Sequence, residues 1–127
     1  MLQKFDAKVL MRSDLKSYFS DFGIVFYDDF KKMMADCDIV IAVGGDGTII
    51  HCARHAAAAE KPILGINIGR LGFVAGLETD ELDELKNLTD GNYTIEYRMM
   101  LEVRLENNGI QETHYALNDA VLARGAL

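Results

Sequence analysis

The sequence predicts an α/β domain, a mainly parallel sheet with helices on its faces, followed by the start of an antiparallel β-rich domain. Short apolar stretches alternate with helical patterns over the first 90 residues, which is typical of helices packed on a parallel sheet. After residue 92 the apolar period changes from 3.6 to 2, as expected of antiparallel strands. We therefore predict an α/β domain at residues 1–92 and the beginning of a β-rich domain, truncated, at residues 93–127.

Composition restricts the class of partner. Half of the 127 residues are hydrophobic and 26% are charged, as in a globular protein with a core. The net charge is −7, without a basic cluster, which argues against nucleic-acid and anionic-membrane partners. Neither a transmembrane stretch nor a secretory signal is evident, so we expect a cytoplasmic protein. Cys37 and Cys52 fit buried thiols of a reducing compartment.

The first 36 residues contain two short strands, each followed by a short helix. Polar residues that favour N-caps stand before the helical patterns, and a glycine separates the two halves. The predicted elements are a strand at residues 7 to 11, a helix begun by Ser13 and ended by Gly23, a strand at residues 24 to 27, and a helix at residues 30 to 35 capped by Asp28 or Asp29.

The centre of the first domain is an apolar strand that ends in a glycine-rich turn. Residues 39 to 43 are all apolar, which predicts a strand buried on both faces. Glycine permits positive φ and close approach of a ligand to the backbone, and the N-terminus of the following helix favours phosphate. The sequence therefore predicts a phosphate-binding turn, and the alternative is a plain strand-to-helix turn. The residues of this turn are Gly44, Gly45, Asp46, Gly47 and Thr48. Thr48 is the expected N-cap of a helix over residues 49 to 59.

Asp46 needs an explanation of its own, because a carboxylate repels phosphate. Its chemistry suits holding Mg²⁺ or taking a proton from a hydroxyl group. The sequence assigns no metal ligand directly. Because the chain is acidic, a metal ion would be needed to offset its repulsion of an anionic substrate, so we expect Mg²⁺ near Asp46. His51 and His55 are an alternative metal pair without an evident third ligand. His51, one turn into the helix, can also reach a ligand above the turn.

The next strand is predicted to bring a second loop to the same edge. Residues 63 to 66 follow Lys61-Pro62 and form an apolar run that ends at Asn67. If the two strands are neighbours, Asn67 lies beside the glycine turn. Phe73 in the loop offers a flat surface for a base or an anchor in the core.

The last third of the chain contains a helix and a hairpin. Thr79 is the expected N-cap of a helix at residues 80 to 88 that Gly91 ends. Polar and apolar residues then alternate up to Asn108-Gly109, a strong hairpin turn, and the return strand runs to residue 117.

Three motifs resemble those of a known family. The GGDGT sequence at residues 44 to 48 resembles a signature of NAD kinases, of diacylglycerol and sphingosine kinases and, as GGDGS, of phosphofructokinases. The NxGxLGF pattern at residues 67 to 73 resembles NAD kinases alone, as does the LND of residues 117 to 119 followed by Arg124-Gly125. All three stand in the order found in NAD kinases.

The resemblance implies a two-domain enzyme that transfers the γ-phosphoryl of ATP, or of polyphosphate, to the 2′-hydroxyl of the adenosine ribose of NAD, giving NADP. It implies Mg²⁺ and a dimer or tetramer. The implied roles are a base for Asp46, phosphate binding for Gly44, Gly45, Gly47 and Thr48, dinucleotide contact for His51, the adenosine end for Asn67 and Phe73, and the nicotinamide ribose side for Asn118 and Asp119.

Two alternatives remain open at this stage. A lipid kinase of the diacylglycerol or sphingosine type shares GGDGT, and a catalytically silent dinucleotide-binding module needs only part of the site. The resemblance runs from about Phe5 to the last residues. The opening strand, Asn-Pro loop and long helix usual in the family, and most of its β-rich domain, have no counterpart in the sequence, so we expect a fragment. We therefore expect the isolated chain not to phosphorylate NAD.

Overall fold

A computed structural model of the chain describes residues 7–19, 22–69 and 75–121. The chain divides into two compact units, Met1–Ile95 and Glu96–Leu127. Short 3₁₀ helices lie at Ser13–Leu15 and Leu82–Leu85. The other elements are β1 (Leu10–Arg12), α1 (Lys16–Phe19), β2 (Val25–Tyr27), α2 (Phe30–Asp36), β3 (Val40–Gly44), α3 (Asp46–Ala58), β4 (Ile63–Asn67), β5 (Leu77–Glu78), α4 (Lys86–Asp90), β6 (Leu101–Asn107) and β7 (Ile110–Ala116).

The predicted fold class is confirmed, with helices and parallel strands in the first unit and an antiparallel hairpin in the second. In the described residues the parallel strands form two sheets, β1–β2 and β3–β4–β5, where one was expected. Within the same described ranges, no helix combines the length and apolar character that crossing a membrane requires.

The first sheet is small and is followed by a well-capped helix. Leu10 pairs with Val25 and Arg12 with Tyr27. The capping role predicted for Ser13 is wrong, since Ser13 lies inside the 3₁₀ helix and Arg12 holds the N-cap position without a side-chain hydrogen bond. For α2 the cap is Asp29, whose carboxylate accepts hydrogen bonds from the N–H groups of Lys31 at 2.9 Å and Lys32 at 3.2 Å.

The core of the first unit lies between α3 and the β3–β4 sheet. Ile49, Ala53 and Ala56 recur at helical spacing on one face of α3 and are all buried. A Cβ placed at Gly65 would lie 2.8 Å from Cδ1 of Ile49, so the absence of a side chain in β4 lets the helix pack closely. The prediction that β3 is buried on both faces is wrong, because α3 covers the face of Ala42 while Val43 on the opposite face is 53% exposed.

Two helix boundaries also differ from the predictions. Helix α3 begins at Asp46 with Gly45 as its N-cap, so Thr48 lies inside the first turn and is not the cap. The helix predicted at residues 80 to 88 is a 3₁₀ helix followed by α4, and Thr79 lies in the turn before it. The terminator was predicted correctly, since Gly91 follows α4 with a φ of 70°.

The second unit contains the predicted hairpin. Strands β6 and β7 pair antiparallel, from Leu101 opposite Ala116 to Asn107 opposite Ile110. Asn108 and Gly109 have φ values of 51° and 80°, as a two-residue turn of type I′ requires. The return strand ends at Ala116, one residue before the predicted end.

Candidate functional site

The carboxyl ends of β3 and β4 form one rim of the first unit. Gly44 and Asn67, the last residues of the two strands, are register partners in the parallel pair. The N–H of Ile68 donates a hydrogen bond to the carbonyl oxygen of Gly44 at 3.4 Å. The glycine turn and the loop that begins after Asn67 therefore start side by side, at the edge where α/β proteins bind ligands.

The glycines of the turn serve packing and access rather than positive φ. Gly45 has φ −82° and ψ 179°, and the glycines found with positive φ in the described residues are elsewhere in the chain. A Cβ at Gly44 would lie 2.6 Å from Cβ of Thr48. At Gly45 and Gly47 a Cβ would meet none of the described residues within 4 Å. Gly44 thus admits the first turn of α3, whereas the other two glycines leave open space at its head.

Asp46 is the first residue of α3 and is partly buried. The carbonyl oxygen of Gly45 accepts hydrogen bonds from the N–H groups of Thr48 at 3.0 Å and Ile49 at 3.2 Å, which closes the first turn. A negative charge at this position interacts favourably with the positive end of the helix dipole. The turn thus combines N–H groups of a helix start with a carboxylate at the first residue of the helix.

His51 is exposed one turn further along α3. Its ring stands edge-on to the ring of His55, with centroids 5.0 Å apart, and His55 contacts Phe30 at 5.1 Å. Among the residues that the structure describes, no group of three or more His, Cys, Asp or Glu side chains is arranged to hold a metal. The contact that the structure shows for the histidine pair is this edge-to-face arrangement on one face of α3.

Asn67 is 1% exposed, and its amide is held on both sides. Nδ2 donates to Oε1 and Oε2 of Glu78, at 3.2 and 3.0 Å. Oδ1 accepts a hydrogen bond from the N–H of Gly69 at 3.1 Å. Glu78, in β5, was missed in the sequence because a two-residue strand has no periodicity, and its position relative to Asn67 is fixed only by strand pairing.

Three further predicted site residues are Phe73, Asn118 and Asp119. Phe73 is outside the described residues, as is the Arg124-Gly125 pair of the third motif. Asn118 and Asp119 are exposed in the second unit, directly after β7. Cys37 and Cys52 are free thiols, and burial raises the pKa of Cys52, which disfavours its reactive thiolate.

The fold and this rim define an α/β protein whose ligand site is expected where a glycine turn meets a helix N-terminus. The family model for the ATP-NAD kinase N-terminal domain matches residues 4–93. The chain belongs to the ATP-NAD kinase family, which confirms the resemblance drawn from the three motifs.

Similar proteins agree with this assignment. The chain is 39% identical over 99 residues to an NAD kinase of Heliobacterium modesticaldum, with 76% of this chain and 35% of the relative covered. It is 44% identical over 103 residues to an NAD kinase of Clostridium beijerinckii, covering 80% and 36%. For an NAD kinase of Thermoanaerobacter sp. the figures are 37% over 127 residues, covering 94% and 45%. The chain therefore spans between about a third and just under half of these relatives.

A solved structure has a similar fold. The crystal structure of yeast NADH kinase complexed with NADH superimposes with a TM-score of 0.66, covering 91% of this chain and 40% of that chain. The sequences are 18% identical, so this likeness concerns the fold.

Proposed function

We propose that this chain supplies the N-terminal part of an NAD kinase, a phosphotransferase that moves the γ-phosphoryl of ATP, or of polyphosphate, to the 2′-hydroxyl of the adenosine ribose of NAD, giving NADP. One observation carries the proposal. Gly44 and Asn67 end neighbouring parallel strands, so the glycine turn with Asp46 and the loop after Asn67 start at one rim. Phosphoryl transfer requires two substrates held together, and this rim offers adjoining elements for both.

Asp46 would act as the general base. Asp46 is the first residue of α3, in the same helical turn as the N–H groups to which phosphate oxygens would bind. It would take the proton of the ribose 2′-hydroxyl as that oxygen attacks the γ-phosphorus, and the nucleoside diphosphate would leave with the electrons of the broken P–O bond. Gly44, Gly45, Gly47 and Thr48 would form the phosphate-binding turn, with the open space at Gly45 and Gly47 available to phosphate oxygens.

The residues at the rim are compatible with Mg²⁺ as a cofactor. The described residues contain no three-ligand cluster, and Mg²⁺ typically binds through one or two carboxylates together with substrate phosphates and water. Asp46 would supply the carboxylate. When bound, the ion would neutralise charge on the phosphate oxygens.

The dinucleotide would extend from this rim. The loop that begins at Asn67 would receive the adenosine end, with Phe73 as the surface for the base. His51 is exposed on α3 and would contact the dinucleotide from the helix side. By the resemblance of the LND motif, and independently of the rim, Asn118 and Asp119 would hydrogen-bond the nicotinamide ribose side; both are exposed.

The remaining parts of the proposal concern partners and compartment. NAD and ATP are the proposed substrates, and the net charge of −7 supports partners other than nucleic acid or an anionic membrane. We also propose a homo-oligomer, dimer or tetramer, that acts in the cytoplasm.

The decisive experiment uses the natural protein that contains this sequence. It is incubated with Mg²⁺ and with either ATP or polyphosphate as donor, and with NAD, NADH or diacylglycerol as acceptor. Formation of NADP from NAD supports the proposal, and the two donor arms decide which phosphoryl source is used. Phosphorylation of diacylglycerol alone, or tight NAD binding without turnover, would overturn it.

A further inference from the structure

We propose that Glu78 is a positioning residue for this site, because its carboxylate fixes the orientation of the Asn67 amide and thereby the start of the loop beside the glycine turn. The structural part of this inference stands on hydrogen bonds within the first unit. Its consequence for NAD rests on the proposed function.

A series of hydrogen bonds connects β5, the end of β4 and the end of β3. Glu78 in β5 accepts from Nδ2 of Asn67 at the end of β4. Oδ1 of Asn67 accepts from the N–H of Gly69, two residues further along the chain. Between them, the N–H of Ile68 donates to the carbonyl oxygen of Gly44. These hydrogen bonds thus connect β5 with Gly44, the first residue of the glycine turn.

The chemistry of the two side chains permits one orientation of the amide. An ionised carboxylate only accepts hydrogen bonds, so it selects the NH₂ side of Asn67. The amide oxygen is then directed to the N–H of Gly69, which can only donate. With the amide flipped, two acceptors would face each other on one side and two donors on the other. Because Asn67 is buried, each mismatch would cost the full desolvation of a polar group.

The backbone of Glu78 is fixed by strand pairing and by hydrogen bonds with Glu81. It is the register partner of Asn67 in the parallel pairing of β4 with β5. Its N–H donates to Oε2 of Glu81 at 2.9 Å, and the carbonyl oxygen of Glu78 accepts from the N–H of Glu81 at 3.1 Å. The carboxylate is therefore presented from a fixed backbone, as a positioning group requires.

The inference is tested by exchanging donor and acceptor between the two side chains in the natural protein that contains this sequence. Asn67→Asp places a second carboxylate against Glu78, and we expect the KM for NAD to rise about 10- to 100-fold at pH 8, since misplacement by 1 Å can cost roughly 10²-fold. The double variant Asn67→Asp with Glu78→Gln restores one donor facing one acceptor. We expect the KM for NAD of the double variant to return most of the way to the wild-type value, although both side chains differ from the wild type.

The pH dependence separates this role from a general loss of packing. Two carboxylates in contact share a proton, because the charge of each raises the pKa of the other. In Asn67→Asp the KM for NAD should therefore fall toward the wild-type value as the pH is lowered and the pair takes up a proton. This recovery should be absent from the double variant, which has a single carboxylate at the contact.

A direct readout is the amide hydrogen exchange of Gly69, measured by NMR. Glu78→Ala should speed exchange at Gly69 at least about tenfold, the effect of losing one stabilising hydrogen bond of about 1.4 kcal/mol, and Glu78→Gln much less, because the new amide oxygen can still accept. Glu84→Gln is the matched control, since Glu84 also accepts from an asparagine, Nδ2 of Asn87 at 2.6 Å, but at an exposed site. It should leave both Gly69 exchange and the KM for NAD unchanged.

The outcomes are separable. If the natural protein does not phosphorylate NAD, the proposed function fails, and the exchange data still decide the role of Glu78. If Glu78→Ala leaves exchange at Gly69 unchanged, or the double variant is no better than Asn67→Asp alone, the positioning role is wrong. Should Glu78→Ala fail to fold, Glu78→Gln and the double variant still give the comparison.

Discussion

A Cβ added at position 44 would lie 2.6 Å from both Cβ and Oγ1 of Thr48, closer than side-chain carbons approach such atoms in folded proteins. Thr48 belongs to the first turn of α3, and Gly44 is the last residue of β3. The helix can thus start immediately after the strand only if position 44 has no side chain. The glycine is required by packing, in a backbone conformation that other residues also adopt.

We therefore predict that Gly44→Ala destabilises the chain by about 1–3 kcal/mol, the usual cost of overpacking. The free energy of unfolding is measured by urea denaturation. Gly45→Ala is the matched control, because a Cβ there would meet no described residue within 4 Å and the φ of −82° suits alanine. It should cost less than Gly44→Ala, about 1 kcal/mol or below, because its only expected penalty is that alanine is a poorer N-cap of α3 than glycine. Equal losses for the two variants would contradict the packing argument.

Gly47→Ala is expected to change stability and ligand binding in opposite directions. Position 47 lies in α3 with open space around it, and alanine in a helix is more stable than glycine by roughly 0.5–1 kcal/mol. In the proposed phosphate-binding turn, the added methyl group would occupy space used by phosphate. We expect a higher Tm and about tenfold weaker ATP binding, the loss of one hydrogen bond. A variant that gains stability and keeps its ATP affinity would remove Gly47 from the proposed turn.

Much of the fold could be predicted from local pattern. The apolar runs located β3 and β4, sequential order predicted their pairing, and Asn108-Gly109 fixed the hairpin. The start of α3 could not be predicted in this way. Thr48 has the chemistry of an N-cap, but its side chain packs over Gly44, a contact between residues four apart that depends on how the helix leaves the strand.

The candidate site was predicted in the same uneven way. The glycine turn and Asn67 are marked by motif and by strand ends, whereas Glu78 is marked by neither. It reaches Asn67 through the pairing of β5, a strand of two residues that stands just before the predicted helix. The exposure of Val43 could not be predicted either, because the sequence shows that the residue is apolar but not which face of the sheet a helix covers.

The cap of α2 gives a prediction about stability alone. Asp28 and Asp29 were equivalent candidates in sequence, and the structure selects Asp29, which accepts two backbone hydrogen bonds. Asp29→Ala should lower the free energy of unfolding by about 1 kcal/mol. Asp28→Ala, a neighbouring exposed position, should change it by less than about 0.5 kcal/mol. Urea denaturation of the two variants checks this, and the reverse order would assign the cap to Asp28.

The hairpin of the second unit gives a prediction about pH. The pKa of Glu102 is lowered, mainly because its carboxylate accepts a hydrogen bond from the Tyr115 hydroxyl. A hydrogen bond from Arg104 and the positive charge of Arg104 lower it further. Because the folded pKa is lowered, the contribution to stability is present above the ordinary glutamate pKa and is lost as the pH falls through the lowered value. An NMR titration should show the pKa of Glu102 rising in Tyr115→Phe.

The control for this titration is Tyr97→Phe, which removes another exposed tyrosine hydroxyl of the same unit. It should leave the titration of Glu102 as in the wild type. If both variants shift the pKa of Glu102 alike, the hydrogen bond from Tyr115 to Glu102 at 3.0 Å does not cause the shift.

The most direct prediction about chemistry concerns Asp46. Asp46→Asn keeps the size of the side chain at the first residue of α3 and removes its charge, and with it about 0.3–1 kcal/mol of favourable interaction with the helix dipole. As the proposed base, Asp46 contributes roughly 10²- to 10⁴-fold to turnover, so kcat in the natural protein should fall by that factor while NAD binding weakens only a few-fold. Asp38→Asn is the control, an exposed carboxylate before the other end of β3. A variant at position 46 that retains half its kcat would exclude Asp46 as the base.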